Sequence, residues 1–270
     1  MLSEERRKKI LELLADEKTM SVERLARSIF VSEPTIRRDL MQLAKEGSIK
    51  RTRGGASYVN PDLVDWPFSF RQKENIREKT EIARMAARLV QDGDTLFLDS
   101  GSTCFCLARE LLEKKDLSIL TYGVNNARIL AENETFHAQI TCGRYMPKRT
   151  SIYGYGTIDY IRRFHAKWCF ISAPAFHPEK GCFNYDAEEA EIKRAFYDNA
   201  DHTVLLLDHT KIGKTFQYLE LSMAQLSVII YNGPVSQQLQ KLCELHHVLL
   251  ICNQEGLLSY RSQLQQQENL

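Results

Sequence analysis

Residues 32–40, SEPTIRRDL, combine a proline, a threonine and two adjacent arginines at the start of an amphipathic pattern. Ile36, Leu40 and Leu43 recur at helical spacing and therefore predict one buried face. Ser32 stands where a helix needs an N-cap, because its hydroxyl can accept a hydrogen bond from a free backbone N–H of the first turn. The stretch predicts a short helix that begins just after Ser32.

The opposite face of this predicted helix is polar. Burial of the apolar stripe turns Thr35, Arg38 and Gln42 outward and leaves Arg37 at the flank of the exposed face. Side chains of these types bind base edges and phosphates when a helix lies in the major groove of DNA. The alternative is a helix whose charges are simply solvated, as those of most adjacent arginines are.

Two more helical stripes precede this helix and can share one small core with it. They are formed by Ile10, Leu13 and Leu14 and by Val22, Leu25, Ala26 and Ile29. Only the tripeptide FVS, residues 30–32, connects the second stripe to the helix described above, which leaves room for a tight turn and nothing longer. This spacing is typical of a helix-turn-helix.

A basic β-hairpin is predicted directly after the third helix. Residues 48–58, SIKRTRGGASY, indicate a short strand, a turn at Gly54 and Gly55, and a returning strand. The hairpin presents three cations: Lys50, Arg51 and Arg53. Beside a basic helix they would form a continuous phosphate-binding surface, so the pattern predicts a winged helix-turn-helix that binds double-stranded DNA.

The charge of the chain is unevenly distributed although its total is close to zero. Residues 1–57 contain 13 of the 36 Lys and Arg residues and 9 of the 35 Asp and Glu residues. The other 213 residues contain 23 basic and 26 acidic residues. A small basic domain is therefore joined to a larger, mildly acidic one, and a chain of 270 residues is long enough for two packed domains.

The cysteines and the amino terminus predict a cytoplasmic protein. The seven cysteines are odd in number and stand mostly in apolar runs, which is typical of reduced, buried thiols. Cys104 and Cys106 have no matching Cys or His pair elsewhere, so we expect neither a metal site nor another cofactor. The first ten residues, MLSEERRKKI, lack an apolar segment behind their charges, and no apolar run approaches the length needed to span a membrane.

From Thr95 onward, continuous apolar runs alternate with helical stretches. The runs are TLFLD, LSILT, AQITC, KWCFIS, TVLLLD, SVIIYN and VLLIC, which begin at residues 95, 117, 138, 167, 203, 227 and 248. Such runs predict strands buried on both faces, as in a parallel sheet with helices on both sides. The expected fold class is α/β for this part of the chain, after the amino-terminal winged helix-turn-helix.

Four segments follow from these patterns. They are a DNA-binding domain at residues 1–57, a linker at 58–75, an effector-sensing α/β domain at 76–254 and a polar, disordered tail at 255–270. The linker contains two prolines and no sustained period. The tail is rich in glutamine, and its composition predicts disorder.

In a parallel sheet, ligands bind beyond the carboxyl ends of the strands. The first apolar run ends in a loop with one glycine, three hydroxyl side chains and one carboxylate, and a predicted helix follows it: Asp99, Ser100, Gly101, Ser102 and Thr103. Free backbone N–H groups and the helix dipole at such a position favour an oxyanion such as phosphate. The alternative is a capped turn between strand and helix that needs glycine only for its geometry.

Other strand ends add polar groups that can converge on the same crevice. Asp208 and Lys211 follow the TVLLL run, and Glu189 and Lys193 lie on one face of a helix. Together these groups suit an anionic, hydroxylated small molecule. Taken singly, Glu189 and Lys193 are also explained as a surface ion pair of little energetic weight.

These motifs together resemble the DeoR family of bacterial transcription regulators. VSEPTIRRDL, RTRGGA, DSGST, EEAEIKRAF and DHTKIG carry the resemblance, which extends from about residue 3 to about residue 252. It implies a winged helix-turn-helix joined to an effector domain similar to ribose-phosphate isomerase. It also implies a repressor that binds operators as a homodimer or homotetramer and is released from DNA by a phosphorylated sugar or a related metabolite.

The resemblance also assigns roles to residues. The motif matches place four residues in the recognition helix and two in the wing: Ser32, Thr35, Arg37 and Arg38, and Arg51 and Arg53. They also place four residues on a phosphate loop: Asp99, Gly101, Ser102 and Thr103. Lys193 and Lys211 fall on later segments that the family shares. Three positions depart from the pattern of the family: Tyr122, Lys167 and Pro174. A pocket that has lost two carboxylates and an amide predicts either an effector other than the usual pentose or hexose phosphate of the family or a pocket that no longer binds a ligand.

The predicted function is a DNA-binding repressor of a carbohydrate-metabolism operon, without catalytic residues. The alternative is a sugar-phosphate isomerase or similar enzyme with an accessory DNA-binding domain. That reaction needs a carboxylate base that faces the sugar, for which only Asp208 and Glu189 are candidates.

Overall fold

The computed structural model describes residues 3–45, 48–58 and 66–253, and the chain divides into two compact units, Met1–Arg71 and Gln72–Leu270. We call them the head unit and the body unit. Part of the predicted linker, residues 59–65, and the whole predicted tail, residues 255–270, lie outside the described residues. The domain limits that the sequence indicates therefore stay predictions.

The head unit combines short helices with a small antiparallel sheet. Its elements are α1 (Ser3–Glu17), β1 (Thr19–Ser21), α2 (Val22–Ile29), α3 (Glu33–Lys45), β2 (Ile49–Thr52), β3 (Gly55–Tyr58) and α4 (Phe68–Arg71). The sheet has the order β1-β3-β2, and the sequence did not predict β1. Gly55 allows this strand to join the hairpin, because a Cβ at residue 55 would lie 2.1 Å from the carbonyl oxygen of Met20.

The three predicted apolar stripes of the head unit form one core. Ile10, Leu25 and Ile36 are among its fully buried members. The hydroxyl of Ser21 caps α2 by accepting a hydrogen bond from the backbone N–H of Arg24 at 3.1 Å. Phe30 ends α2 in the left-handed conformation, with φ at 60°, and α3 begins three residues later. The predicted helix-turn-helix is confirmed.

The body unit is an α/β domain around a seven-stranded sheet. Its helices are α5 (Ile76–Ala87), α6 (Ser102–Glu110), α7 (Val124–Leu130), α8 (Tyr155–Ile161), α9 (Ala187–Asp198) and α10 (Gln237–Leu245). The strands of the large sheet are β4 (Thr95–Leu98), β5 (Ser118–Thr121), β6 (His137–Ile140), β9 (Ala166–Ser172), β12 (Ala200–Leu207), β14 (Val228–Tyr231) and β15 (Leu249–Ile251). They pair in parallel in the order β15-β14-β12-β9-β4-β5-β6, which confirms the predicted parallel α/β fold.

Apolar residues fill both faces of this sheet. On one face, Leu96 and Leu98 belong to the same core cluster as residues of α5, α6 and α7. On the other face, Phe97 belongs to the cluster that contains Ile192 and Phe196 of α9. Successive residues of β4 thus point to opposite faces, and both faces are covered by helices, as expected for a parallel sheet.

Short antiparallel strands that the sequence did not indicate complete the body unit. They are β7 (Arg144–Met146) and β8 (Ser151–Tyr153), which pair with each other, and β10 (Ala175–His177), β11 (Gly181–Asn184) and β13 (Tyr218–Leu221), which form a second small sheet. The AQITC run was also expected to be buried on both faces, and this prediction is wrong. Its strand, β6, lies at the edge of the large sheet, where His137, Gln139 and Ile140 are exposed.

The order of the strands defines where a crevice can form. From β4 the chain continues through β5 and β6 on one side, and it then returns to β9 on the other side of β4. The direction of winding reverses between β4 and β9, and ligands bind outside the carboxyl ends of strands at such a reversal.

Among the described residues, no helix combines the length and the apolar character that crossing a membrane requires.

Candidate functional site

The exposed face of α3 carries most of the side chains that the sequence singled out. Arg37, Arg38 and Gln42 are exposed, and Thr35 is half-buried. Arg37 forms an ion pair with Glu33 one turn earlier, at 2.8 Å. Arg38 forms no hydrogen bond or ion pair within the described part of the chain. Its guanidinium is therefore available to a ligand outside the head unit.

The first turn of α3 is organised by hydroxyl groups. The Oγ of Ser32 lies 2.9 Å from the Oγ1 of Thr35, and the backbone oxygen of Ser32 accepts a hydrogen bond from the N–H of Ile36 at 3.2 Å. Both hydroxyls lie at the amino end of the helix, where the helix dipole favours a phosphate. Ser32 and Thr35 thus lie at the start of the predicted recognition helix, and their contact with DNA stays a prediction.

Met41 is a member of the exposed face of α3 that sequence reasoning missed. It lies one turn after Arg38, and its side chain is 58% exposed in the middle of a polar surface. A helical wheel would have placed it there, but an apolar residue gives no sign of a role in binding. Apolar side chains do contribute to base recognition through the methyl group of thymine.

The predicted wing is present and basic. Lys50 and Arg51 lie on β2, and Arg53 lies in the turn that leads to β3. All three side chains are exposed, and within the described residues none of them has a hydrogen-bond or ion-pair partner. The structure therefore places unpaired cations on the wing as well as on α3, which is the electrostatic requirement for a phosphate-binding surface.

In the body unit, a loop with free donors lies at the reversal of the sheet. The loop, residues 99–103, which we call the phosphate loop, leads from β4 into α6, with Gly101 at the N-cap. A Cβ at Gly101 would lie 2.0 Å from the Oγ of Ser172, so only glycine allows this approach to β9. The hydroxyls of Ser102 and Thr103 are nearly buried and make no hydrogen bond to other described residues.

Asp99 does not have the role expected of it. Its Oδ2 accepts hydrogen bonds from the N–H and the Oγ of Ser172, at 2.9 and 2.8 Å, and its Oδ1 accepts one from the hydroxyl of Tyr122. The side chain of Asn126 also donates to the backbone oxygen of Asp99, at 2.7 Å. The carboxylate is fully buried and bound by the chain itself, so it orders the phosphate loop.

Glu189 and Lys193 are not the surface ion pair that we considered as an alternative. Both are buried, and Lys193 is 1% exposed. The Nζ of Lys193 donates to Glu220 and to the backbone oxygen of Ser172, each at 2.7 Å, and lies 3.5 Å from Glu189. Burial favours the neutral amine, but the carboxylates of Asp99 and Glu220 outweigh it and raise the pKa of Lys193. The ammonium therefore stays charged.

Arg149 and Tyr153 are two further members of this site that the sequence did not indicate. The hydroxyl of Tyr153 donates to Glu189 at 2.8 Å and accepts from Arg149 at 3.0 Å. Arg149 is 4% exposed, contacts Glu189 directly and lies over the ring of Tyr185. These residues belong to a segment without a sequence period, so no pattern predicted their burial. We call the group Asp99, Arg149, Glu189, Lys193 and Glu220 the ionic cluster.

A second group of charges lies beside α6. Asp208 is buried and accepts hydrogen bonds from Thr210, so it caps the turn after β12. Lys211 is half-buried and has no hydrogen bond or ion pair to the described residues. Lys79 of α5 is buried, and burial lowers its pKa to about 8, with Asp208 raising it and Lys211 lowering it further. The two lysines thus lie close enough to affect each other.

The sequence analysis did not predict that Lys79 is buried, although the position of Lys79 in α5 indicates it. It stands in register with Ile82, Ala83 and Ala86, which form the buried stripe of α5. A lysine in an apolar stripe is rarely buried without a function.

Two departures from the family pattern lie near the site, and one does not. Tyr122 follows β5, and Pro174 follows β9, at the carboxyl edge of the sheet. Lys167, by contrast, is the second residue of β9, at the opposite edge, where its Nζ lies 3.3 Å from Asp94. The expectation that Lys167 alters the pocket is therefore wrong, and one of the two carboxylates counted as lost does not belong to the site.

Comparisons with known proteins match two successive parts of the chain to domains of one family. The DeoR-like helix-turn-helix domain matches residues 6–62, and the DeoR C terminal sensor domain matches residues 74–232. The HTH-type transcriptional regulator GolR of Listeria innocua is 33% identical over 88% of this chain and 93% of its own length. The glycerol-3-phosphate regulon repressor of Escherichia coli K12 is 30% identical over 93% of this chain and 99% of its own length.

Likeness to solved structures is weaker. Ribose 5-phosphate isomerase A of Methanocaldococcus jannaschii covers 52% of this chain and 55% of its own, with 17% identity and a TM-score of 0.38. This likeness is too distant to bear on function.

Proposed function

The chain belongs to the DeoR family and is a DNA-binding transcriptional regulator, and we propose that it represses a carbohydrate-metabolism operon until a phosphate ester binds to its body unit. The observation that carries the proposal is the set of unpaired, exposed cations on α3 and the wing. Arg38 on α3 would read a base edge, and Arg53 on the wing would bind a phosphate.

The phosphate loop and the two lysines Lys79 and Lys211 support a phosphorylated effector. Free N–H groups and the free hydroxyls of Ser102 and Thr103 supply donors, and the lysines supply charge. Several relatives are repressors, and one is named for the glycerol-3-phosphate regulon. A phosphate ester in this crevice would stabilise one arrangement of the body unit over another, with a coupling of about 1–3 kcal/mol to DNA binding.

The enzyme alternative lacks a free catalytic base. Asp208 is hydrogen-bonded to Thr210, and Glu189 is engaged by Arg149, Tyr153 and Lys193. The curated relatives reported above are regulators. The chain is accordingly a regulator and not an enzyme.

We also propose that the protein acts as a homodimer or a homotetramer in the cytoplasm, where operator DNA is found. One helix in one major groove supplies too few contacts for operator specificity. Two copies of α3 would need to lie about 34 Å apart, or a multiple of that distance, to reach successive major grooves on the same side of the duplex.

The test compares Arg38→Ala with Arg53→Ala on a genomic fragment that the intact protein retains. Arg38→Ala should lower affinity for that fragment by about 1–3 kcal/mol and relax the sequence preference, because the lost contact is to a base. Arg53→Ala should weaken binding to specific and scrambled DNA alike and reduce the slope of log affinity against log salt by about 1. Fluorescence anisotropy titrations at several salt concentrations measure both effects.

Arg24→Ala is a matched control, because Arg24 is an exposed arginine of α2 held by Glu17 at 2.6 Å. It should change neither affinity nor specificity by more than a small fraction of the Arg38 effect. Equal, sequence-independent losses for Arg38→Ala and Arg53→Ala would contradict base reading by Arg38.

A further inference from the structure

The large sheet of the body unit ends at β6, and the outer edge of this strand is open. The backbone N–H groups of His137 and Thr141 donate to carbonyl oxygens on the β5 side, at 2.8 and 3.0 Å. Backbone groups alternate between the two sides of a strand, so the N–H and C=O groups of Ala138 and Ile140 point away from β5. Within the described part of the chain, no hydrogen bond reaches these outward groups.

The sequence of β6 does not protect this edge. Open strand edges pair with other strands unless charged side chains, prolines or a covering element prevent it. The strand reads HAQI and contains no lysine, arginine, acid or proline. Ile140 is 41% exposed, on the same face of the sheet as Ala138, which packs partly against the core. The edge therefore offers its outward backbone groups and an exposed apolar side chain to a partner strand.

Antiparallel pairing of two copies of β6 satisfies the outward groups. In such a pair, two residues that lie directly opposite each other can exchange both of their backbone hydrogen bonds. Ala138 of each copy can do so with Ile140 of the other, around a two-fold axis that passes beside Gln139. Each exposed isoleucine then packs against the small side chain of Ala138 of the other copy. A shift of this register places Ala138 or Ile140 opposite a residue outside β6.

The charges that flank β6 favour the same orientation. Two exposed acids, Glu132 and Glu134, precede the strand, and two exposed cations, Arg144 and Lys148, follow it. In an antiparallel pair, the residues before the strand in one copy lie near those after the strand in the other, so opposite charges approach each other. Arg144 also pairs with Glu188 at 2.8 Å, but on the surface, where such a pair is weak and readily exchanged.

We propose that two copies of this chain associate through β6, antiparallel and in register about Gln139, so that the large sheet continues from one copy into the other. This proposal rests on the proposed function, since it names the surface that joins the two copies required by an operator with two half-sites. A homodimer would contain this interface once, and a homotetramer would contain it twice.

Disulfide cross-linking at the two-fold axis tests the register. The two Gln139 residues would form a pair without mutual hydrogen bonds, with Cα atoms about 4.5 Å apart, which is close enough for a disulfide. Gln139→Cys should therefore give a covalent dimer of the full-length protein when air oxidises it with copper as the catalyst. His137→Cys, also at an exposed position of β6, is the matched control, because its two copies would lie more than about 13 Å apart.

The exposed Cys142 is present in every preparation, so the wild-type protein sets the background of cross-linking. Cross-linking by Gln139→Cys that does not exceed that of His137→Cys would overturn the proposal.

A charge on the open edge tests the interface without a covalent bond. Ile140→Lys should raise the protein concentration at which half of the chains are associated by at least about tenfold, because a lysine at the edge opposes strand pairing. Analytical ultracentrifugation over a series of protein concentrations measures this change. Leu245→Lys is the control, since Leu245 of α10 is 69% exposed, and it should leave association unchanged. Unchanged association of Ile140→Lys would contradict the β6 interface.

Titration of the same preparations with the retained genomic fragment and with scrambled DNA separates this proposal from the proposed function. Equal binding of both duplexes by the wild-type protein refutes the regulator. A wild-type protein that selects its operator, although Gln139→Cys does not cross-link and Ile140→Lys still associates, refutes only the interface inferred here.

Discussion

Lys79 carries an ionisable side chain at a buried position of the body unit. Its ammonium is buried on α5, where the side chain donates to the backbone oxygen of Glu74 at 2.6 Å. Burial lowers its pKa from 10.5 to about 8. The folded protein therefore holds this proton less tightly than the unfolded chain does. A bound phosphate would offset the free energy of burying the ammonium, because the two opposite charges would attract each other.

Replacing Lys79 with Met should stabilise the free protein. At neutral pH the folded state bears the cost of a buried ammonium, so Lys79→Met should raise the unfolding free energy by about 3 kcal/mol, at about 1.4 kcal/mol per pKa unit. As pH rises from about 8 to 10.5, the wild-type folded state loses its proton before the unfolded chain does, so its stability rises. The advantage of the variant should therefore shrink across this window.

Urea unfolding at a series of pH values measures the difference between wild type and variant. Arg77→Met, at an exposed position of the same helix, is the control and should show no such pH dependence. A difference that stays constant between pH 8 and 10.5 would contradict the assignment of the lowered pKa to Lys79.

The backbone conformation of Phe30 lowers the stability of the head unit. It has a φ of 60°, and its side chain is 93% exposed, so no packing compensates for the left-handed backbone. Phe30→Gly should raise the unfolding free energy of the head unit by about 1 kcal/mol, because glycine adopts this conformation without the Cβ clash. Thermal unfolding measures the change.

Arg27→Gly provides the opposite case within the same helix. Arg27 lies in the last turn of α2 with an exposed side chain, and a glycine there should destabilise the head unit by about 1 kcal/mol. Destabilisation by Phe30→Gly as well would show that the exposed ring makes a stabilising contact.

At the scale of elements, a partly buried ion pair links α3 to α1. Asp39 is 5% exposed and faces the core side of α3, where it accepts two hydrogen bonds from Arg6 of α1, at 2.5 and 3.2 Å. The pair fixes the recognition helix against α1 while Arg37 and Arg38, its neighbours in sequence, point outward. The two adjacent arginines and the aspartate thus have separate roles.

Asp39→Ala should leave the half-buried Arg6 guanidinium without its partner and destabilise the head unit by about 2 kcal/mol. Glu23→Ala is the control, because Glu23 pairs with Arg27 on the surface, and its loss should cost less than about 1 kcal/mol. Hydrogen exchange followed by mass spectrometry reports the opening of α1 and α3 separately from the body unit. Equal losses of protection in the two variants would argue against a structural role for Asp39.

The elements also show what the sequence can predict. Strands of the large sheet are recognisable because helices cover both faces, so their apolar runs are continuous. The short strands β7, β8 and β10 carry no such run, and β13 has only two buried residues. Glu220 of β13 and Arg149 reach the ionic cluster through contacts between distant segments, and no local pattern encodes such contacts.

At the scale of the whole molecule, the two units differ in how their charged side chains are paired. The head unit presents unpaired cations, and the body unit pairs most of its buried charges with one another, while Lys211 has no hydrogen bond or ion pair to the described residues. Sequence motifs predict both surfaces, since glycine, hydroxyl and arginine positions are local features.

The central claim is that the head unit reads DNA sequence. Selection of duplexes from a random pool by the full-length protein, at about 0.15 M salt, tests it most directly. We expect enrichment of one motif with two related half-sites spaced by whole helical turns, bound at least about 10³-fold more tightly than a scrambled duplex. Equal affinity for the recovered and scrambled duplexes would contradict it.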